Sequence, residues 1–347
     1  MTTATPATAT PDPRLVEFIY VQSLATRGSH LVWTPLTGGV SSDIWRVDLP
    51  DRTLCVKCAL PKLKVAQDWQ VPVSRNAFEW AWLCFAAEHY PDVVPQPIAH
   101  DAEQGIFAMD LLVAENYPNW KQLLLNGAVS QTSAAQVGTV LAGLHAASAY
   151  NENIEKKFQT TDIFFALRLD PYLLTAAKHH PDLKPALREL VDRTIGARIA
   201  LVHGDVSPKN ILIGKVGPVF LDAECAWYGD PAFDVAFCLN HFLLKCVARP
   251  ALTDAYLECF SALTKAYLNG VTWESREPIE TRAANLLPGL LLARVDGKSP
   301  VEYVTETKEK NLIRDVARQL LLTPVSQLSA IARTWRAAIS LSLSRSL

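Results

Sequence analysis

The segment Leu201-Val-His-Gly-Asp-Val-Ser-Pro-Lys-Asn-Ile-Leu-Ile213 sets a carboxylate, Asp205, shortly before an amide, Asn210, and Val219-Phe-Leu-Asp-Ala-Glu224 adds Asp222 and Glu224 downstream. Two short apolar runs, 210–213 and 218–221, flank a Gly-Lys-Val-Gly turn and read as a β-hairpin. Asp205, Asn210 and Asp222 then lie on or beside strand edges of one hairpin, so three oxygen-bearing side chains converge on a small volume. Hard oxygen donors suit Mg²⁺, which takes a few carboxylate or amide oxygens and completes its shell with phosphate and water. The chemistry implied is metal-assisted phosphoryl transfer.

The pattern His203-Gly204-Asp205, four residues, Asn210 and a later Asp222 resembles the hallmark of the aminoglycoside phosphotransferase and choline kinase family, the protein-kinase-like small-molecule kinases. Five specified residues, each at about one in twenty, would coincide by chance in a chain this long roughly once in ten thousand. The resemblance implies ATP and Mg²⁺ as cofactors. It makes Asp205 the group that accepts or orients the proton of the acceptor hydroxyl, Asn210 and Asp222 the Mg²⁺ ligands, and His203 a structural residue. It further implies that Lys57 binds the α and β phosphates with Glu79 as its ion-pair partner, and that Gly38-Gly39-Val40-Ser41-Ser42 approaches phosphate with backbone amides and serine hydroxyls. Leu111 and Leu112 fall where the family passes between lobes and binds adenine through the backbone. His145, in Gly138–Ser148, and the acids Asp230 and Asp234 are expected as structural supports. The triplet Asp222-Ala223-Glu224 and the absence of an Ala-Pro-Glu landmark do not support a protein-kinase activation segment.

The elements that must position these residues fall into two groups. A helix over 13–31, strands over 36–49 and 53–60, a helix over 76–90, and short strands over 93–97 and 105–113 form a β-rich first part. Helical patterns follow at 121–126, 132–150, 163–169, 172–179 and 185–199, then the hairpin, then further helices. The expected architecture is α+β, a two-lobed protein-kinase-like fold with a small β-rich N-lobe over 15–112 and a large, mainly helical C-lobe over 113–347, after a flexible tail at 1–14. Cys55 and Cys58 lie three apart on one strand, point to opposite faces, and cannot easily share a metal.

Substrate choice falls to the C-lobe. Ala293-Arg-Val-Asp-Gly-Lys-Ser-Pro300 brings together Arg294, Asp296 and Lys298, and Ser299, Pro300 and Glu302 read as the capped start of a helix whose N-terminus favours anions. These three residues, with Glu224, are the acceptor-site candidates, against a reading in which Arg294 and Asp296 only tie helices together. The segment around Arg75 and that around Arg294 resemble loosely the methylthioribose kinase branch. Between Asp230 and Glu302 there are nine acidic and seven basic residues, with no acidic run to attract a polycation.

The chain has 347 residues, 49% hydrophobic and 20% charged, with formal net charge -2, which gives no global field for nucleic acid or an anionic membrane. Apolar runs such as 106–114 and 286–293 are too short to span a bilayer. No cationic start precedes an apolar segment at the N-terminus, so a cytoplasmic protein with free cysteines is expected. The reading is an ATP- and Mg-dependent transfer of phosphate to a hydroxyl of a small polar metabolite: a sugar, polyol or amino alcohol. An aminoglycoside antibiotic kinase is the alternative enzyme; a nucleotide-binding pseudokinase that serves as an interaction module is the alternative of another class.

Overall fold

The computed structural model describes residues 10–36, 41–62 and 72–344. The chain divides between Val113 and Ala114 into two compact units. In the first, β1 (Val32–Leu36), β2 (Ser42–Asp48), β3 (Thr53–Ala59), β4 (Pro97–Asp101) and β5 (Ile106–Asp110) form one antiparallel sheet in the order β1-β2-β3-β5-β4. Its helices are α1 (Pro13–Val21) and α2 (Arg75–His89).

β3 is central, and its alternation sorts two environments. Leu54, Val56 and Cys58 join the core that α1 covers with Leu15, Phe18 and Ile19, at helical spacing. Each such fully buried large side chain contributes about 1.5–3 kcal/mol. Lys57, one residue out of phase, points to the opposite face and pairs in register with Ile44 on one side and Phe107 on the other. Cys55 and Cys58 are therefore on opposite faces, as their spacing predicts.

Three expectations change here. The first helix opens at Pro13, capped by Asp12, so it takes in the end of the expected tail; it closes at Val21, and Ser23 has the left-handed φ of 56°. Pro91–Val93 is a 3₁₀ turn, and the strand expected at 93–97 begins only at Pro97, since a proline without an N–H suits the first position of a strand. The expected first strand over 36–49 contains β2, while β1, Val32–Leu36, is an additional strand that mostly precedes it; Gly38 and Gly39 between them lie outside the described residues.

The second unit is mostly helical. After α3 (Trp120–Leu125), α4 (Gln131–Ser148) and α5 (Glu152–Lys157), α6 (Thr161–Phe164) runs through a π-helical stretch, Phe165–Leu174, into α7 (Thr175–His179). The two helices expected at 163–169 and 172–179 are thus one continuous rod, and its wider turns accommodate Pro171, which has no N–H to give. α8 (Lys184–Gly196) leads to β6 (Ala200–Val202), β7 (Ile211–Ile213), β8 (Pro218–Phe220) and β9 (Trp227–Gly229), which pair as β6 with β9 and β7 with β8. The expected hairpin is β7–β8; the β6–β9 pair has three-residue strands too short for a periodic signal.

α9 (Ala232–Ala248) is buried along nearly its whole length and packs against both α10 (Thr253–Gly270) and α11 (Arg276–Asp296). α12 (Thr307–Leu322) and α13 (Leu328–Ser344) complete the unit. No helix begins at Ser299. The next opens at Thr307, where Glu306 and Glu309 form the capping box, while the Ser299 carbonyl accepts from Arg294 and Glu302 pairs with Lys121. One partner near in sequence, Arg294, and one far from it, Lys121, claim the residues that would have closed the earlier cap.

Candidate active site

In the second unit, β6 delivers His203, Gly204 and Asp205, a 3₁₀ turn at Pro208–Asn210 follows, and β7 leads away. Asp234, in the first turn of α9, fixes the loop: its Oδ2 accepts from the His203 amide at 2.7 Å and its Oδ1 from the Gly204 amide at 2.8 Å. His145 on α4 meets the same carboxylate at 3.3 Å and Tyr267 Oη at 2.8 Å, which makes it a packed support, as expected. Gly204 has φ 79°, and a Cβ there would come within 2.5 Å of the Cys225 carbonyl oxygen, so only glycine fits.

His203 is buried between the Asp205 amide, which donates to its Nδ1 at 3.1 Å, and the Leu221 carbonyl, 3.1 Å from its Nε2. The proton therefore sits on Nε2. Burial, opposed only in part by neighbouring carboxylates, lowers its pKa and keeps the ring neutral. This is the structural role expected for it.

Asp205 is buried, and its Oδ2 receives three donors: Asn210 Nδ2 at 2.8 Å, Arg168 Nη2 at 2.9 Å and Lys209 Nζ at 3.2 Å. Arg168, on the π-helical stretch, also donates to the carbonyls of Gly204 (2.6 Å) and Leu167 (2.7 Å) and lies over the rings of Tyr172 and Phe237. Burial is the largest influence and works against its charge, but Asp205 together with Cys225, Tyr172 and Glu224 outweighs it and holds the pKa above the ordinary value. Asp205 likewise raises the Lys209 pKa, ahead of burial, which lowers it. Arg168 and Lys209 are site residues that sequence reasoning missed. The available signal was an arginine inside the apolar run Phe164–Leu174, a cation with no local partner.

Asn210 commits its amide nitrogen to Asp205, which leaves Oδ1 as an oxygen donor; the Leu221 amide donates to the Asn210 carbonyl at 2.9 Å, which brings Asp222 next to it. Asp222 holds φ at 68°, a strained conformation for a residue with a side chain. One amide oxygen and one carboxylate are a donor set that fits Mg²⁺ sharing its shell with phosphate and water. Among the described residues no cluster of three or more His, Cys, Asp or Glu offers another metal site. Glu224 is buried two residues on.

In the first unit, Lys57 Nζ and Glu79 Oε1 are 2.7 Å apart, each side chain 3% exposed, which joins β3 to α2 as expected. Arg75 at the start of α2 donates to the carbonyls of Ser41 (2.6 Å), Leu60 (2.7 Å) and Pro72 (3.0 Å), so α2 is tied to the entry of β2 and the exit of β3. Ser41 and Ser42 are buried there. Leu111 and Leu112 are half-buried in the extended segment after β5.

The acceptor candidates are placed differently from one another. Asp296 bonds His180 (2.8 Å) and Arg314 (2.7 Å), and Lys298 meets Asp170 at 3.3 Å, so both tie helices together. Their grouping at a helix N-terminus does not occur, since that helix is absent. Arg294 Nη1 donates to Tyr172 Oη at 3.0 Å and to the Ser299 carbonyl at 2.5 Å.

Residues 32–268 match the phosphotransferase enzyme family. The methylthioribose kinases of Pectobacterium atrosepticum and Yersinia pseudotuberculosis are each 26% identical to this chain, over 226 and 223 residues; each match covers 57% of this chain and 55% and 54% of theirs. The chain thus spans about half the length of these relatives. Among solved structures, Plasmodium vivax ethanolamine kinase aligns over 96% of this chain and 89% of its own with a TM-score of 0.56 at 13% identity, which shows a shared kinase-like fold. With a family match across more than half its length, over both the Lys57–Glu79 pair and the Asp205 loop, this chain belongs to the phosphotransferase enzyme family.

Proposed function

We propose that this protein transfers the γ-phosphate of ATP to a hydroxyl of a small polar metabolite: a sugar, polyol or amino alcohol. The observation that carries the reading is the Asp205 carboxylate, buried and anchored through one oxygen by Asn210, Arg168 and Lys209 on a loop braced by Asp234. A carboxylate fixed in this way orients the acceptor hydroxyl and takes its proton as the bond to phosphorus forms. Lys57, held by Glu79, binds the α and β phosphates, with Gly38, Gly39, Ser41 and Ser42 as further phosphate-binding residues; Leu111 and Leu112 receive adenine. Asn210 and Asp222 would hold Mg²⁺, which neutralises phosphate charge. The methylthioribose kinase relatives favour a sugar-like acceptor.

Among the described residues no helix is long and apolar enough to cross a membrane. We place the protein in the cytoplasm, where ATP is available. The test is ADP release with Mg-ATP against panels of sugars, polyols, amino alcohols and aminoglycosides. Turnover confined to one of the first three groups supports the reading. Turnover only with aminoglycosides, or ATP binding without any transfer, refutes it.

A further inference from the structure

Two side chains of α9 have no part in the chemistry above. His241 and Lys245 are one helical turn apart and share a face. Lys245 is 1% exposed, makes no ion pair among the described residues, and holds its ammonium 5.2 Å from the Tyr303 ring centre. His241 is 6% exposed, and its Nε2 has no hydrogen-bond partner; the buried Tyr303 hydroxyl has none either. From α11 comes Arg294, anchored through Nη1, whose buried Nε makes no hydrogen bond. Lys121 on α3 completes the group and is paired with Glu302.

These groups are mutual neighbours. Burial depresses the His241 pKa well below its usual value, and Arg294, Lys245, Lys209 and Lys121 depress it further. Burial and then Lys121 lower Lys245 to about 7. The cluster also adjoins the catalytic loop. Lys209 is 3.2 Å from Asp205; His241 packs on Phe237 with ring centres 5.8 Å apart, Arg168 lies over that same ring, and Arg168 and Arg294 share the Tyr172 ring.

A core that only needed filling would not gather four basic side chains, Lys121, His241, Lys245 and Arg294. Holding an unpaired ammonium there would cost several kcal/mol, which is what drives the Lys245 pKa down, and each buried donor without a partner costs about 1–3 kcal/mol more. Glu302, the carboxylate that acts on Lys245, is already matched by Lys121. What the cluster lacks is negative charge, and the unused Nε–Nη2 edge of Arg294 has the fork geometry that takes a carboxylate or phosphate.

We propose that Lys245, Arg294, His241 and Tyr303 form the anion-binding half of the acceptor site, so that the acceptor is a hydroxylated acid, a small metabolite bearing a carboxylate or phosphate whose hydroxyl faces Asp205. This rests on the phosphotransferase reading and narrows its substrate class. It also separates this chain from kinases of cationic acceptors, which a cluster of lysine and arginine would repel.

The experiment is calorimetric binding of matched sets, glycerol, D-glycerate and glycerol 3-phosphate, and ribose, ribonate and ribose 5-phosphate, to the wild type and to Lys245→Met and Arg294→Gln. The acid members are expected to bind roughly 10- to 100-fold more tightly than their neutral counterparts, the range of a charge-assisted contact. Comparison of the two acids shows whether carboxylate or phosphate is preferred. Both variants should lose the preference, while Lys245→Met, which removes an unpaired buried charge but keeps the packing volume, should melt at a higher temperature than the wild type without ligand. Equal binding across each set, or a preference that survives in both variants, overturns the proposal. Acids that bind through Lys245 but release no ADP in the presence of Mg-ATP would refute the kinase reading and leave the anion site standing.

Discussion

At the scale of single residues, the two halves of the reaction call for different substitutions. Asp205→Asn keeps the size of the side chain and its contact with Asn210 but removes the proton acceptor. The expected result is a fall in kcat of about 10² to 10⁴ with Mg-ATP affinity little changed, measured by steady-state kinetics and calorimetry. Collapse of ATP affinity with kcat spared would move Asp205 out of the proton-transfer role. Lys245 makes a second prediction. With its pKa lowered to about 7, it is largely neutral in the folded protein at pH 8. An arriving acid favours the ammonium, raises the pKa and draws in a proton. Its other neighbours do not supply this proton change: burial keeps His241 and Tyr303 uncharged and Cys238 as a thiol, while Glu302, which burial would raise, is held below its usual pKa by Lys121 and keeps its charge. Binding heats at pH 8 should therefore vary with the ionisation heat of the buffer, by close to one proton taken up, and lose this dependence in Lys245→Met. The stability consequence has a definite sign. The folded chain releases this proton near pH 7 and the unfolded chain only near its usual 10.4, so the unfolded state holds more protons between those values and stability rises with pH across that window. The rise should be smaller in Lys245→Met.

At the scale of elements, α9 links core and catalysis: its first turn holds the loop through Asp234, and its third and fourth turns carry His241 and Lys245. Asp234→Asn sets an amide NH₂ against one of the two backbone N–H groups of His203 and Gly204. It should cost about 1–3 kcal/mol in urea unfolding and lower kcat at least about tenfold, because the displaced loop carries Asp205. An unchanged unfolding midpoint would show that the loop is held from elsewhere. The same elements show what the sequence could reveal. Asp205, Asn210 and Asp222 were legible because one short hairpin fixes their mutual placement, and Lys57 and Glu79 because a central strand and the next helix leave few alternatives. Arg168 was not, since its partner is far along the chain and its helix departs from the α period. The helix expected at Ser299 failed for a different reason: Ser299 is engaged by Arg294 five residues before it and Glu302 by Lys121 from far along the chain, so neither closes a cap worth about 1 kcal/mol.

At the scale of the whole molecule, the small net charge hides a sorted interior. His241 and Lys245 of the cationic cluster are buried, Arg294 and Lys121 half-buried, and the net charge is only -2, so recognition of an acid depends on short-range contacts rather than steering from afar. The seven cysteines follow the same division: none is disulfide-bonded, and all but the half-buried Cys84 are buried. Burial raises the thiol pKa of Cys55, Cys246 and Cys259 to about 12 and shifts those of Cys58, Cys225 and Cys238 upward, which suppresses the reactive thiolate. A thiol reagent should titrate about one cysteine in the native protein and all seven in denaturant, and the melting temperature should not respond to reductant. A reductant-dependent melting curve would reveal a disulfide and contradict the observed pairing.

The π-helical stretch between Phe165 and Leu174 has a consequence for ancestry. A bond from residue i to i+5 encloses one residue more than an α turn, so this rod holds more chain than a regular helix of the same length would. Relatives whose helix is regular should show a gap in alignment at this point. Where a one-residue gap falls before Arg168, the aligned side chain would be rotated by about 100°, away from the catalytic loop. Presence of the extra residue, more than overall identity, should therefore sort the relatives that hold their catalytic aspartate with an arginine from those that must hold it by other means.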